Sequence, residues 1–538
     1  MRFHVRRLRS ALVVTTSLAV LLTACGGGAD EEQGDAANGT PRKGGTLTLA
    51  LSQAPQSANP RAFTDTGAVY VNRQLFDSLV GQDPETGKIV PWLAESWDVS
   101  KDATAFTFHL REGVTFSDGT PLTAEVVKAN FDDLVSNKAK VNPSIAPVLA
   151  AFKGAEAVDP STVTVSFNTP NAPFLVAASQ TGLSIVAPAT LALPWDKRVD
   201  KVIGSGPFVL DAFAPAQVTL SKRKGYDWSP SGVKHKGGAL LDKVVFKVVP
   251  EASVRTGSLE SGQVQAVSDV PPGDIESVRD SGLNLVTRPN PGLVWGLVPI
   301  SARKPLDDVR VRQAIALSVD RTEVRDAVLT PDFLPATSVL ASTTPGYTDL
   351  ASVVKHDPTA AGELLDAAGW TRSGDGVRTK NGKKLSLVVG WFPGYTASQK
   401  TLELIKAQLA KTGVDLQLLQ QTGLQILDGL KKEKYDFFWT NGTQADGDVL
   451  RTSFSGAPPN YYRIDDTTLE PLLQEQVALG DPAARNKVLA EAQRRIVEQV
   501  VYLPVFEQTT VVATGKQVHG LTLGAGAGLN QLTAVWLS

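Results

Sequence analysis

Residues 384–440 read KLSLVVGWFPGYTASQKTLELIKAQLAKTGVDLQLLQQTGLQILDGLKKEKYDFFWT. KLSLVVG, VDLQLLQ and YDFFWT have the short apolar runs of strands. A long helix over Ala397–Lys411 and a second near Leu424–Lys432 separate them. The same order of strand, helix, strand, helix, strand occurs between Lys243 and Thr287 as KVVFKVV, ASVRTGSLESG, VQAVSDV, a short helix and LNLVTR. Two separated βαβ series, each wrapped by other elements, predict two α/β lobes and not one continuous sheet. Open α/β sheets bind ligands beyond the carboxyl ends of their strands, so the chain near Trp391 and Thr440–Gly442 is a candidate ligand position.

Around these series the pattern is mixed. Thr46–Leu51 alternates as a strand, and Thr66–Leu79 reads as an amphipathic helix. Ala105–Leu110 and Val114–Phe116 are expected to form a hairpin around Arg111-Glu112-Gly113. Thr123 can cap a helix reaching about Val135, with Glu125 favouring its dipole. Ser161–Phe167 alternates again, and the last 50 residues carry a helix (Ala483–Val500), then VYLPVF and two strand-like stretches returning to the first lobe.

The first residues have a different purpose. Arg2, Arg6, Arg7 and Arg9 precede twelve mostly apolar residues, Ala11–Leu22. Twelve helical residues span about 18 Å against a hydrocarbon core of about 30 Å, so this is a signal-peptide core and not a membrane span. It ends in Leu22-Thr23-Ala24-Cys25-Gly26, which resembles the bacterial lipobox, and Cys25 is the only cysteine in the chain. In that class of signals the cysteine is acylated and becomes residue one. Cleavage before Cys25 removes four arginines and no acid, taking the formal charge from −2 to −6. Residues 25–45, Gly-rich and polar, read as a flexible tether. The expected location is therefore the outer face of the cytoplasmic membrane, lipid-anchored, on the periplasmic side where an outer membrane exists.

With 538 residues, 42% hydrophobic and 20% charged, the chain has an ordinary globular composition and length for two or three domains. Its near-neutral charge offers no basic face for nucleic acid. One cysteine excludes disulfide frameworks and multi-Cys metal sites. The five histidines are scattered without HxxxH or HExxH spacing, so a metal site built on them is not expected. No Gly-x-Ser-x-Gly elbow or Walker-type loop occurs, and Gly524-Ala-Gly526-Ala-Gly528 lacks the spacing of a dinucleotide fingerprint. No catalytic residues and no cofactor are expected; this chain reads as a non-enzyme.

From Pro91 the sequence runs PWLAESWDVSKDATAFTFHLREGVTFSDGTPLTAEVVKANFDDL. Further motifs follow: Gly204-Ser205-Gly206-Pro207-Phe208, Pro305–Ala314 continuing to Val319-Asp320-Arg321, Leu364–Trp370, and Val501–Phe506. Together they resemble the family 5 extracellular solute-binding proteins of ABC importers, a group with dipeptide, oligopeptide and nickel-binding members. The resemblance covers the chain from about Gly44 to its end. It implies an α/β, two-lobed periplasmic-binding-protein-like clamp, the type II three-domain variant. Domain I would comprise 46–90, 201–300 and 506–538, domain II 91–200, and domain III 301–505. Ligand would be enclosed between domains I and III and passed by a monomer to ABC permease and ATPase subunits. A sensing clamp that signals to a membrane receptor is the alternative. The ligand classes left open are peptide, opine, sugar and metal chelate.

In peptide-binding members the strand matching Tyr435–Trp439 leads into a turn and an Asp-Tyr-x-Asp-Pro-like run, whose aspartate can pair with a peptide α-ammonium. Here the chain reads Phe438-Trp439-Thr440-Asn441-Gly442-Thr443-Gln444-Ala445-Asp446-Gly447-Asp448, without the Tyr and Pro. Asp446 or Asp448 would contact a polar or cationic group by a charge-assisted hydrogen bond, or would order the loop as an Asx turn. Asn441 belongs to the same candidate set. Trp295, Trp391 and Trp439, beside glycine or proline or at strand ends, would either wall the cleft or pack in the core. Tyr70 and Phe63 are further cleft candidates. The motif residues Trp92, Trp97, Phe106, Phe108 and Val114 are expected to pack domain II.

Overall fold

Thr46–Leu51 sits in the middle of a seven-stranded sheet, flanked in parallel by Lys243–Val248 on one side and Ala266–Val267 on the other. A central parallel strand is covered on both faces, and Leu47, Leu49 and Ala50 are fully buried. The sheet order is Asn284–Pro289, Thr509–Thr514, Ala266–Val267, Thr46–Leu51, Lys243–Val248, Gln217–Lys222, Phe208–Ala214. Residues 40–538 are described by the computed structural model, apart from 63–64, 143–144, 234, 375, 458–459, 461 and 465. The stretches read as signal peptide and tether as far as residue 39, with Cys25, and Phe63 lie outside the described residues.

A second sheet of five strands orders Asp415–Gln420, Ser386–Trp391, Phe437–Thr443, Gly292–Pro299, Leu503–Phe506. Its first three strands are parallel and come from the βαβ series, with helices at Ser398–Lys411 and Gly423–Lys431. Strand Gly292–Pro299, placed by sequence within 201–300, pairs antiparallel in this second sheet, so the chain leaves the first sheet at Pro289. It returns between Phe506 and Thr509. The crossing segments are tied together, the Asn290 amide donating to the Gln508 carbonyl at 2.7 Å.

A third, antiparallel sheet orders Ala94–Val99, Ala105–Leu110, Thr162–Phe167, Phe152–Asp159. It differs from the expected hairpin: Ala105–Leu110 pairs on both edges with other strands, and Val114–Phe116 turns away to bridge Pro121 through Thr115. Thr162–Phe167 alternates intermediate and buried positions, and its inward Val163, Val165 and Phe167 meet Phe106, Phe108 and Phe174. Helix Ala124–Ser136, capped by the Thr123 hydroxyl on the Val126 amide, covers this sheet. Trp92, Phe106, Phe108 and Val114 are buried, while Trp97 packs at the margin.

The helix read as Thr66–Leu79 stops at Leu75. The next residues are extended because Asp77 is drawn into the interior, where Trp228 Nε1 donates to it at 2.9 Å and Gln531 Nε2 at 2.6 Å. Among the described residues no helix is long and apolar enough to cross a membrane.

Candidate ligand-binding cavity

A cavity of about 760 Å3 opens where the three sheets converge. Helix Thr66–Leu75 and residues of the first sheet's loops (Asp269, Asn290, Thr510) form one wall. Residues 171–183, beyond the antiparallel sheet, form a second, and residues 443–452, following strand Phe437–Thr443, a third. Volume and concavity are those of a small-molecule site.

Tyr70 is the largest side chain on the first wall. Asp65 caps its helix, accepting from the Ala68 amide at 2.9 Å. The Tyr70 ring is 1% exposed and its hydroxyl has no hydrogen-bond partner. Burial, reinforced by the charge of Asp269, raises its pKa and keeps the phenol neutral. Across the cavity, the Asn171 amide nitrogen is also buried without a partner. Buried polar groups are normally satisfied, so two unpartnered groups on residues lining one cavity mark its walls as polar and unsaturated.

Asp446 and Asp448 line the third wall, but their charges are already matched. The Asp446 carboxylate accepts Arg485 Nη1 at 2.8 Å and Nη2 at 2.5 Å. Asp448 accepts Arg451 Nε at 2.7 Å and Nη2 at 2.6 Å. Gln476 closes the ring, donating to Asp448 at 2.5 Å and accepting from Arg485. Burial raises the Asp446 carboxyl's pKa, yet the Arg485 charge and hydrogen bonds outweigh it and leave the group below its ordinary value. Asp448 stands above its ordinary value, burial outweighing Arg451. The Asp448 amide also donates to Asp446 Oδ1 at 2.7 Å, an Asx turn. The loop-ordering alternative is thus present, and the Asp446 carboxylate is used internally.

The three tryptophans are not among the cavity's lining residues. Trp439 is 1% exposed, its indole N–H donates to Ser398 Oγ at 3.1 Å, and it stacks on Trp295 with ring centroids 5.3 Å apart. Trp295 stacks in turn on Tyr395 at 5.4 Å. Trp391 is buried in the same core with its indole N–H unpartnered. Trp439, near the end of its strand, belongs to this packed aromatic column, whereas residues 392–394, just beyond Trp391, line a separate open pocket of about 490 Å3. Phe437–Thr443 reaches the cavity only at Thr443.

Trp295 and Asn441 act on the cavity indirectly. The Trp295 indole N–H, at 3.1 Å, and the Asn441 amide N–H, at 2.6 Å, both donate to Gln508 Oε1. An indole nitrogen can only donate, so the atom facing it is the Gln508 oxygen, and the Gln508 NH2 is turned to the other side. Gln508 lines the cavity. Sequence reasoning did not single out Gln508, Asn171 or Asp269, which sit in irregular segments without periodicity. It also set aside the Gly-rich tail, whose residues 526–528 form part of the wall. A Cβ on Gly528 would stand 3.3 Å from Val69 Cγ1 and 3.7 Å from Tyr70 Cε1, so glycine there lets the tail lie against the helix.

Residues 88–462 match the family described as "Bacterial extracellular solute-binding proteins, family 5 Middle". The chain is 28% identical over 512 residues to the dipeptide-binding protein of Escherichia coli K12, covering 88% of this chain and 91% of that protein. It is 24% identical over 541 residues to the glutathione-binding protein GsiB of Escherichia coli O1:K1, covering 97% and 98%. In fold it matches NikA from Brucella suis, solved in complex with Fe(III)-EDTA, with a TM-score of 0.81 at 23% identity, covering 92% of this chain and 100% of that one. The three-sheet architecture, the two crossings between lobes and the match over most of its length place this chain in the family 5 bacterial extracellular solute-binding proteins.

Proposed function

We propose that this protein is the lipid-anchored solute-binding subunit of an ABC importer, working as a monomer that captures a peptide or a polar solute of similar size. The observation that carries the reading is a cavity of about 760 Å3 walled from three sides, with the Tyr70 hydroxyl and the Asn171 amide buried and unsatisfied at its surface. Ligand bridging these walls stabilises the shut arrangement over the open one, and the permease and its ATPase then receive it unchanged. The solutes for which these relatives are named, dipeptide and glutathione, suit a cavity with separated donors and carboxylates. With the boundaries moved to the sheet crossings, domain I would comprise 46–90, 201–290 and 508–538, domain II 91–200 and domain III 291–507, with the crossings at 290–291 and 507–508 as the hinge.

Native mass spectrometry of gently purified protein tests this directly, with tryptophan emission recorded against dialanine and glutathione. A retained small molecule, or a saturable emission change without turnover, is expected. A chemically altered solute, or indifference to every candidate together with an empty spectrum, would overturn it. Replacement Cys25→Ser is expected to abolish acylation and release the protein from membranes; unchanged membrane retention would remove the lipid anchor from the proposal.

A further inference from the structure

Charge is unevenly satisfied around the cavity. Asp446, Asp448 and Arg451 belong to the ion-paired ring closed by Arg485. Of the charged side chains lining the cavity, only Asp269 has no ion-pair partner among the described residues. Its Oδ2 accepts the Ser52 hydroxyl at 2.5 Å and the Ser268 hydroxyl at 2.8 Å, which orients the carboxylate and leaves Oδ1 for another donor. Arg255 is near, but its guanidinium donates to the backbone carbonyls of Val249, Pro250, Ser268 and Asp269, bracing the loop without pairing the carboxylate. Asp269 adopts φ +53°, a left-handed conformation that Asp and Asn tolerate better than most residues. The second observation is independent of this loop: Tyr70, 1% exposed, lines the same cavity, and its hydroxyl is buried without a partner. A hydroxyl can accept from a cationic N–H as well as donate.

We infer that Asp269, with the Tyr70 hydroxyl, is the charge-recognition point of the cavity and takes a protonated amine or guanidinium of the solute. The inference rests on the reading of this cavity as the solute site. It moves cation recognition from the loop at Asp446, where Arg485 occupies the carboxylate, to the first lobe. A charge-assisted hydrogen bond in a site shielded from water contributes more than a neutral one, and it selects against neutral analogues.

The test uses the full chain and four probes: dialanine, glutathione, arginine and putrescine, each with its N-acetylated counterpart, by calorimetry and tryptophan emission. Asp269→Asn keeps the shape and the left-handed backbone. It is expected to weaken the best amine at least tenfold without moving the ligand-free melting temperature, and acetylation should cause a similar loss in wild type. Tyr70→Phe removes an unsatisfied buried hydroxyl, so it should weaken binding about threefold to tenfold while leaving ligand-free stability equal or higher. If amines and their acetylated forms bind alike and Asp269→Asn keeps its affinity, the cavity reading stands and this assignment fails. If none of the four amines changes either signal and native mass spectrometry shows no retained solute, the cavity reading falls and the assignment with it; a retained solute without a cationic group overturns the assignment alone.

Discussion

Replacing Arg485 by Ala asks whether Asp446 is a structural carboxylate or a ligand's partner. Arg485 makes two hydrogen bonds to Asp446 and two to Gln476 Oε1, and Asp446 and Gln476 are 2% and 0% exposed. Truncation leaves a buried carboxylate and a buried amide oxygen without their donors. Breaking a buried pair in this way costs about 3–5 kcal/mol. At about 2.1 cal/mol/K per residue, unfolding entropy is about 1 kcal/mol/K for a unit of roughly 500 residues and about 0.4 kcal/mol/K for a lobe of roughly 200. The melting temperature should therefore fall by about 3–5 °C if the chain melts as one unit, or by about 7–12 °C if the second lobe melts alone. Calorimetry distinguishes these by whether one or two transitions move.

The sign with pH follows from the carboxyl's depressed pKa. Asp446 contributes stability that is present above its unfolded value, about 3.9, and is lost as pH falls through its lower folded value. In Arg485→Ala that term disappears, so the gap between variant and wild type should narrow on acidification below about pH 4. The double replacement Asp446→Leu with Arg485→Met should recover most of the loss, because an apolar pair of similar volume leaves no unpaired charge. Arg485→Ala melting within about 1 °C of wild type, while binding solute tenfold differently, would refute the reasoning and return Asp446 to the ligand.

Three further outcomes are expected. Trp439→Ala should lose about 3–5 kcal/mol, read by denaturant titration, while solute affinity per folded molecule stays within about threefold; a large affinity loss at normal stability would put Trp439 on the cleft after all. At Gly206 an added Cβ would lie 2.5 Å from the Leu75 carbonyl carbon and 2.6 Å from the Gln74 oxygen, so Gly206→Ala should cost at the upper end of about 1–3 kcal/mol, and normal thermal stability would contradict the close approach. Glu507, in a crossing segment, is buried and held above its ordinary pKa by burial despite hydrogen bonds from Ser342, so wild type loses stability as pH rises above about 4.3. The melting-temperature difference Glu507→Gln minus wild type should become more positive from pH 4 to pH 7.5, and a flat or falling difference would count against the shift.

The parts of this fold legible in sequence were those governed by period. The strands and helices of residues 384–440 fall within a few residues of their expected bounds, because each alternates or repeats against a single buried surface. Thr46–Leu51 coincides with its strand for the same reason. The reading failed where a distant residue decided the local structure. Helix Thr66–Leu75 ends early because Asp77 is held by Trp228 and Gln531, which are far away in sequence. The hairpin around Glu112 is absent because Thr162–Phe167 claims the edge that Val114–Phe116 would have used. Of the candidate residues, Tyr70, Asp446 and Asp448 line the cavity, while the partners of the two carboxylates could not be read from the sequence. Arg485 neutralises Asp446 from another part of the chain and Gln476 hydrogen-bonds Asp448, and nothing local to Asp446 announces them; Arg451, which pairs with Asp448, lies only three residues on.

The residues that carry the family resemblance lie apart from those lining the cavity, and the contacts show why. Gly204 and Gly206 are small because the backbone of Leu75 lies against them; Arg312 donates to the carbonyls of Leu306 and Gln499; Arg321 donates to the Pro504 carbonyl. In this chain these motif residues join elements of the fold and leave the cavity wall to others. Gln508 lies between the two classes. Its carbonyl accepts from Asn290 across the crossing between lobes, its side-chain oxygen is pinned by Trp295 and Asn441, and its NH2 is left for the cavity. A solute that hydrogen-bonds this amide acts on a residue already tied to the crossing, the aromatic column and the strand Phe437–Thr443. Only contacts that differ between open and shut arrangements can shift their populations. Under the proposed clamp reading, Gln508 is placed to supply one, since it joins the crossing, the aromatic column and the cavity wall.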